Sequence, residues 1–150
     1  MKFLLAGWLV VIIDQLTKYF VVSNFYLGES VPVIQNIFHW TYILNPGAAF
    51  GMLEGSRWFF VFIAVLVGLG IFYFRKELQK ESLMIQFGTA LFAGGAVGNL
   101  IDRIILGKVI DFFDFRIWPI FNVADIAICV GVGLILWNII TTEFLMNRSE

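Results

Sequence analysis

DFFDFRIWPIFNVAD, Asp111 to Asp125, is the stretch on which the reading of this chain turns. Two aspartates bracket an aromatic, Pro-containing connector, and the second of them opens a long apolar run. A carboxylate at the mouth of a membrane helix is costly unless something uses it. The pattern therefore predicts that Asp111 and Asp125 meet as a two-carboxylate hydrolytic site at a membrane surface, with the rest of the chain holding them there.

Working outward, Asn122 to Ile140 reads as a membrane helix. Asn122, after Pro119, is an N-cap candidate, which puts Asp125 at the third helical position. A capping carboxylate there is the bland alternative, stabilised by free N–H groups and the helix dipole. Upstream, Gly107 to Pro119 reads as a connector that also carries Asp114. Before it, Leu83 to Ile101 is a second apolar run whose later half changes character: Gly94, Gly95, Ala96 and Gly98, then Asn99, Asp102 and Arg103. Small residues four apart let membrane helices approach closely. Asn99, Asp102 and Arg103 share one helix face, which favours an inward polar network over an interfacial anchor.

Trp58 to Phe74 is a third apolar run, followed by a short charged loop from Arg75 to Ser82. Phe3 to Val22 is a fourth, just long enough at about 1.5 Å per residue to span ~30 Å of hydrocarbon. It starts like a signal peptide, but Asp14 and Lys18 interrupt it and no small-x-small cleavage site follows, so a retained helix is expected. Asp14 and Lys18 lie four apart in the favourable acid-first order, which suits an ion pair facing a bundle interior. The connector from Ser23 to Arg57 is too long for a tight hairpin. Within it, Val31 to Ile43 is rich in β-formers and predicts short strands lying on the membrane. NPGAAFG, Asn45 to Gly51, then marks a turn whose small residues would let another backbone lie close.

Composition agrees with a lipid-exposed protein. The 150 residues are 60% hydrophobic against about 45–50% in soluble domains, and 17 Phe and 5 Trp supply interfacial aromatics. That length suits one domain, 1–150, embedded in the membrane. A net charge of −1 gives no electrostatic case for nucleic acid. One cysteine, Cys129, excludes an intrachain disulfide and reads as a packed or lipid-facing thiol; one histidine, His39, cannot build a multi-His metal site and reads as a loop residue. The fold expectation is four transmembrane helices, near 3–22, 58–74, 83–101 and 122–140, with both termini on one side. Basic residues divide five (Lys2, Arg75, Lys76, Lys80, Arg148) against four (Arg57, Arg103, Lys108, Arg116), so the compact second loop decides for cytoplasmic termini. Asn45, Asn99, Arg103, Asp111, Asn122 and Asp125 then fall together on the outer side.

No GxSxG, HExxH, P-loop or His/Cys ligand spacing occurs, and none of the five serines has a plausible base near it in sequence. Carboxylates remain. Two close together cannot both ionise cheaply and share a proton. The ionised one can take a proton from water while the protonated one hydrogen-bonds the scissile carbonyl. Asp114 competes with Asp111 for the first place, and residue chemistry alone does not choose.

Five motifs, in order along the chain, resemble those of the bacterial lipoprotein signal peptidases: DQLTK at 14–18, NPGAAF at 45–50, GGAVGNLIDR at 94–103, VIDFFD at 109–114 and FNVAD at 121–125. The resemblance implies a membrane aspartyl endopeptidase whose catalytic pair is Asp111 and Asp125, with Asp114 structural. It implies that Asn45, Gly47, Asn99, Arg103 and Asn122 line the substrate site and that Asp14, Lys18 and Asp102 support it. It further implies a small β platform in the first loop, and no cofactor or metal. The implied substrate is a diacylglyceryl-modified prolipoprotein cut just before the lipidated cysteine, with membrane lipids as the other partners. The enzyme is expected as a monomer in the bacterial cytoplasmic membrane. A proton-coupled transporter is the rival reading. It would place acids near mid-bilayer in repeated halves, whereas here they cluster near one end and the halves show no similarity.

Overall fold

The computed structural model describes residues 2–47 and 53–146. Helix α1, Lys2–Asn24, is followed by strands β1, Ser30–Ile34, and β2, Phe38–Asn45. Helix α2, Arg57–Tyr73, runs into a single turn, α3, Arg75–Leu78. Helix α4, Leu83–Ile105, leads to strand β3, Val109–Asp114, and helix α5, Val123–Met146, completes the described chain.

Helix α4 is the hub, packing against α5, α1 and α2. Its glycines explain why. A β-carbon on Gly94 would come within 2.5 Å of the Gly7 backbone oxygen in α1, and one on Gly95 would collide with the Ala124 backbone oxygen in α5. Nearer the other end of α4, Gly88 meets Gly131 of α5. Lipid offers apolar side chains no advantage in leaving it, so close backbone packing of this kind is what holds membrane helices together. The outward faces are apolar: Leu5, Trp8, Leu9, Ile12 and Leu16 of α1 are exposed, and α2 buries no residue at all. Phe3–Asn24, Leu83–Ile105 and Val123–Thr142 are long and apolar enough to cross a membrane; α2, at 17 residues, is a shorter apolar helix.

The strands form one antiparallel sheet in the order β1-β2-β3. Pro32, which lacks the N–H that a central strand needs, sits in edge strand β1. The expected platform is thus present, but it is not confined to the first loop. Its third strand comes from the segment read as a plain connector, 107–119. That segment was hard to recognise because its alternation is broken: the N–H groups of Phe112 and Phe113 both donate to the Phe121 carbonyl, a β-bulge that puts two residues opposite one. One face of the sheet packs on the ends of α1 and α5, with Val21, Ile110 and Phe112 buried and Trp40 stacked on Phe112 at 5.4 Å. Two smaller expectations are also corrected. Part of the loop after α2 is the helical turn α3, and His39 lies in β2 rather than in a loop.

Candidate active site

Asp111 and Asp125 reach the same place from different elements. The bulged strand β3 turns Asp111 inward opposite Ile43, and Asn45, at the end of β2, donates its amide Nδ2 to Asp111 Oδ2 at 2.9 Å. Helix α5 begins at Val123, so Asn122 is its N-cap. Asn122 Oδ1 accepts the Asp125 N–H at 2.9 Å and Asp125 Oδ2 accepts the Asn122 N–H at 3.1 Å, a reciprocal capping box. The capping role foreseen for Asp125 is therefore real, and it occupies only one of the two carboxylate oxygens. The other, Oδ1, accepts Asn99 Nδ2 from α4 at 2.7 Å. Asn122 Nδ2 also donates to Asp111 Oδ1 at 2.6 Å. Each aspartate thus accepts two N–H bonds, and neither forms a salt bridge among the described residues.

Burial, and next the charge of Asp125, push the Asp111 carboxyl up to about 7, against the pull of the Asn45 and Asn122 hydrogen bonds and the positive charge of Lys18. A carboxyl so placed holds a proton near neutrality.

Both carboxylates open into a cavity of about 620 Å³ between α2, α4 and α5. Asn45, Gly47, Asn99 and Arg103 share its polar end. Arg103 Nη2 donates to the Gly47 carbonyl at 3.1 Å, and its guanidinium lies 4.5 Å from the Phe60 ring centre. The remaining wall is apolar, with Ile63, Ala64 and Val67 from α2 facing Ile126 and Val130 from α5. Sequence reasoning did not assign this wall, nor the stretch Trp118–Phe121 that closes one side, because apolar lining is indistinguishable in sequence from lipid-facing surface. Cys129, read as packed or lipid-facing, is exposed and lines the cavity. Asn122 is fully buried behind the two aspartates. Ala48, Ala49 and Phe50 of the NPGAAF motif lie outside the described residues.

A second layer sits deeper. Lys18 pairs with Asp14 and with Asp102, each at 2.9 Å, and all three are buried. Asp14 Oδ1 accepts the Ala124 N–H at 2.9 Å and Asp102 Oδ2 accepts the Ile110 N–H at 3.0 Å, so the cluster grips the residues preceding both candidate catalytic aspartates. Gln15, which sequence reasoning passed over, bridges Asp14, Asp102 and the Gly98 carbonyl.

Asp114 goes elsewhere. Its Oδ2 accepts from Thr41 Oγ1 at 2.7 Å and pairs with Arg116 at 2.8 Å. Burial pushes this carboxyl up, but the hydrogen bonds from Thr41 and Arg116 and the Arg116 charge outweigh it and hold Asp114 below the usual carboxylate range. A depressed folded-state value contributes stability above the ordinary carboxylate range that is lost as pH falls through it. Thr41→Val is therefore expected to cost about 1–2 kcal/mol at neutral pH and less in acid, read by thermal unfolding across pH. Ser30 lies 3.0 Å from His39 Nδ1, so one serine does have a possible base beside it. The arrangement does not activate it. The Asp114 carboxylate can only accept, so Thr41 donates to it. Thr41 then accepts from Ser30 at 2.7 Å, and the Ser30 hydrogen is already committed.

Comparison with known proteins places the chain as a whole. A family profile described as Signal peptidase (SPase) II matches residues 7–141. A lipoprotein signal peptidase from Desulfitobacterium hafniense is 49% identical over 139 residues, covering 92% of each chain. One from Moorella thermoacetica is 48% identical over 140 residues, covering 93% of each. A solved bacterial membrane enzyme, determined by the in meso method at 2.3 Å resolution, is 36% identical and superposes with a TM-score of 0.85 over 93% of this chain and 88% of its own. A second, at 1.9 Å, gives 37% and 0.83 over 92% of each chain. With its helices, its sheet and nine-tenths of its length matched, the chain belongs to the signal peptidase II family.

Proposed function

We propose that Asp111 and Asp125 are the catalytic pair of an aspartyl endopeptidase that removes signal peptides from diacylglyceryl-modified prolipoproteins, cutting just before the lipidated cysteine. The observation that carries this reading is the convergence of two carboxylates, free of salt bridges and held by neutral amides, on one cavity that is polar at one end and apolar along its walls. Neutral amide donors fix the oxygens in place without neutralising them.

Asp111, with its raised pKa, holds the proton and hydrogen-bonds the scissile carbonyl. Asp125, at a helix N-terminus whose dipole favours negative charge, takes a proton from the attacking water and delivers it to the amine that leaves as the C–N bond breaks. Asn45, Arg103 and the backbone at Gly47 are placed to steady the tetrahedral oxyanion and the peptide, and the apolar wall accepts the hydrocarbon part of the substrate. Asn99 and Asn122 orient the carboxylates.

At about 26 Å, α2 is long enough to cross a slightly thinned bilayer and would make a fourth span. Four spans leave the termini together on the cytoplasmic side and the sheet and candidate pair at the outer face of a bacterial cytoplasmic membrane. The chain then works as a monomer, with lipidated substrate and membrane lipids as its partners.

The pH profile tests the proton assignment. As pH rises through about 7 the pair loses its proton, so kcat/KM is expected to fall above that point by roughly tenfold per pH unit. The same rise withdraws stability, because the folded chain holds this proton more tightly than the unfolded chain does. Cleavage of a lipidated prolipoprotein in detergent, measured from pH 5 to 9, is the experiment. A flat profile up to pH 9 would remove Asp111 as the proton holder.

A further inference from the structure

Lys18 has three ammonium hydrogens and three oxygen partners: Asp14 Oδ2, Asp102 Oδ2 and, at 3.0 Å, Asn99 Oδ1. An ammonium can only donate. The Asn99 amide must therefore turn its oxygen toward Lys18, which leaves its Nδ2 facing Asp125 Oδ1. The other donor to Asn99 Oδ1 is Asn122 Nδ2 at 3.0 Å, but that group has two hydrogens for three acceptors. The others are the Ile110 carbonyl at 3.2 Å and Asp111 Oδ1 at 2.6 Å. Asn122 is thus divided, and Lys18 is the partner that makes one Asn99 orientation obligatory.

We propose that Lys18 is a positioning residue for the catalytic pair: from α1, and without touching the cavity, it fixes the Asn99 amide so that Asp125 is offered an N–H rather than a carbonyl oxygen. This rests on reading Asp111 and Asp125 as that pair. Without Lys18, the Asn99 amide can turn over and set its oxygen against Asp125 Oδ1. The carboxylates then lose one of their four N–H donors along with a nearby positive charge, and the pair grips its shared proton more tightly. The other polar residues of the cavity, Asn45, Gly47 and Arg103, keep their places, so the loss falls mainly on turnover. The charged groups around the lysine are Asp14 on its own helix, Asp102 on α4, Asp111 on β3 and Asp125 on α5, and Arg103 on α4 faces the last three.

Lys18→Met tests this, together with Lys18→Met/Asp102→Asn, which removes one positive and one negative charge and so spares the fold an extra unpaired carboxylate. In whichever variant is folded by circular dichroism, kcat is expected to fall at least about tenfold with KM within about threefold of wild type, and the alkaline limb of kcat to move up by about one pH unit. The infrared carboxyl C=O band that Asp111→Asn abolishes should titrate with the same upward displacement, with no substrate present. A folded variant whose kcat falls while both the limb and the band stay at their wild-type positions makes Lys18 a structural ion only and overturns the proposal. So does wild-type kcat. Cleavage by Asp111→Asn at the wild-type rate is a different result: it removes the catalytic pair itself.

Discussion

Asp111→Asn and Asp125→Asn are each expected to reduce cleavage of a diacylglyceryl-modified prolipoprotein by about 10³-fold or more, while Asp114→Asn stays within about tenfold of wild type. The size follows from the division of labour. Asparagine at 111 has no acidic proton to share with the scissile carbonyl, and asparagine at 125 can neither take a proton from water nor return one to the departing amine. Two positioned groups that act in one step each account for most of the acceleration, so the double variant should be scarcely slower than either single one. The fold supplies the control. Asp114 meets Thr41 and Arg116 on the sheet, away from the cavity, so its loss should show in stability before activity. Asparagine keeps an oxygen for the Asn99 and Asn122 donors, so both inactive variants should accumulate in membranes at near wild-type levels. Full activity in either one would end the two-aspartate account.

Gly95→Val is expected to be the most damaging change outside the pair. A β-carbon there collides with the Ala124 backbone oxygen and falls 2.8 Å from Ile128 Cγ1, so α4 and α5 must part. A backbone atom cannot rotate out of the way as a side chain can. The cost should therefore reach or exceed about 3 kcal/mol, the upper end for overpacking. If Asp125 is catalytic, activity should fall further than stability, because Ala124 is the residue before it and any displacement moves its carboxylate directly. Gly133→Val is the matched control: nothing lies within 4 Å of the position, so it should be near neutral. Thermal unfolding in detergent alongside cleavage measures both, and a wild-type Gly95→Val would mean that the helices are not held at this distance.

The parts legible in the sequence were those written in local chemistry. Apolar runs of helical length, the Gly94–Gly98 stretch and the Asp14–Lys18 spacing each imply their own consequence, and the structure bears out the close crossing and the ion pair. Asn122 as N-cap was legible because Pro119 and the apolar run bracket it. What escaped was non-local. Strand β3 pairs with residues more than sixty positions earlier, and its bulge scrambles the alternation that would have revealed it. The choice between Asp111 and Asp114 depended on which way that bulged strand turns, which only a family resemblance could suggest. The contact of Ser30 with His39 comes from the pairing of β1 with β2. Gln15 was hidden for the opposite reason: it stands among stronger signals, and its worth lies in joining α1 to α4.

The order of the elements along the chain has a consequence for biosynthesis. Strand β3 pairs with β2 and follows α4, and the cap that orients Asp125 belongs to α5. A chain synthesised only as far as α4 possesses the polar cluster and about half of the cavity lining, yet it holds neither Asp111 nor Asp125 in position. If Asp111 and Asp125 are the catalytic pair, competence is deferred until β3 and α5 have been made and packed. On the proposed function, a chain at that stage of its synthesis cannot cut.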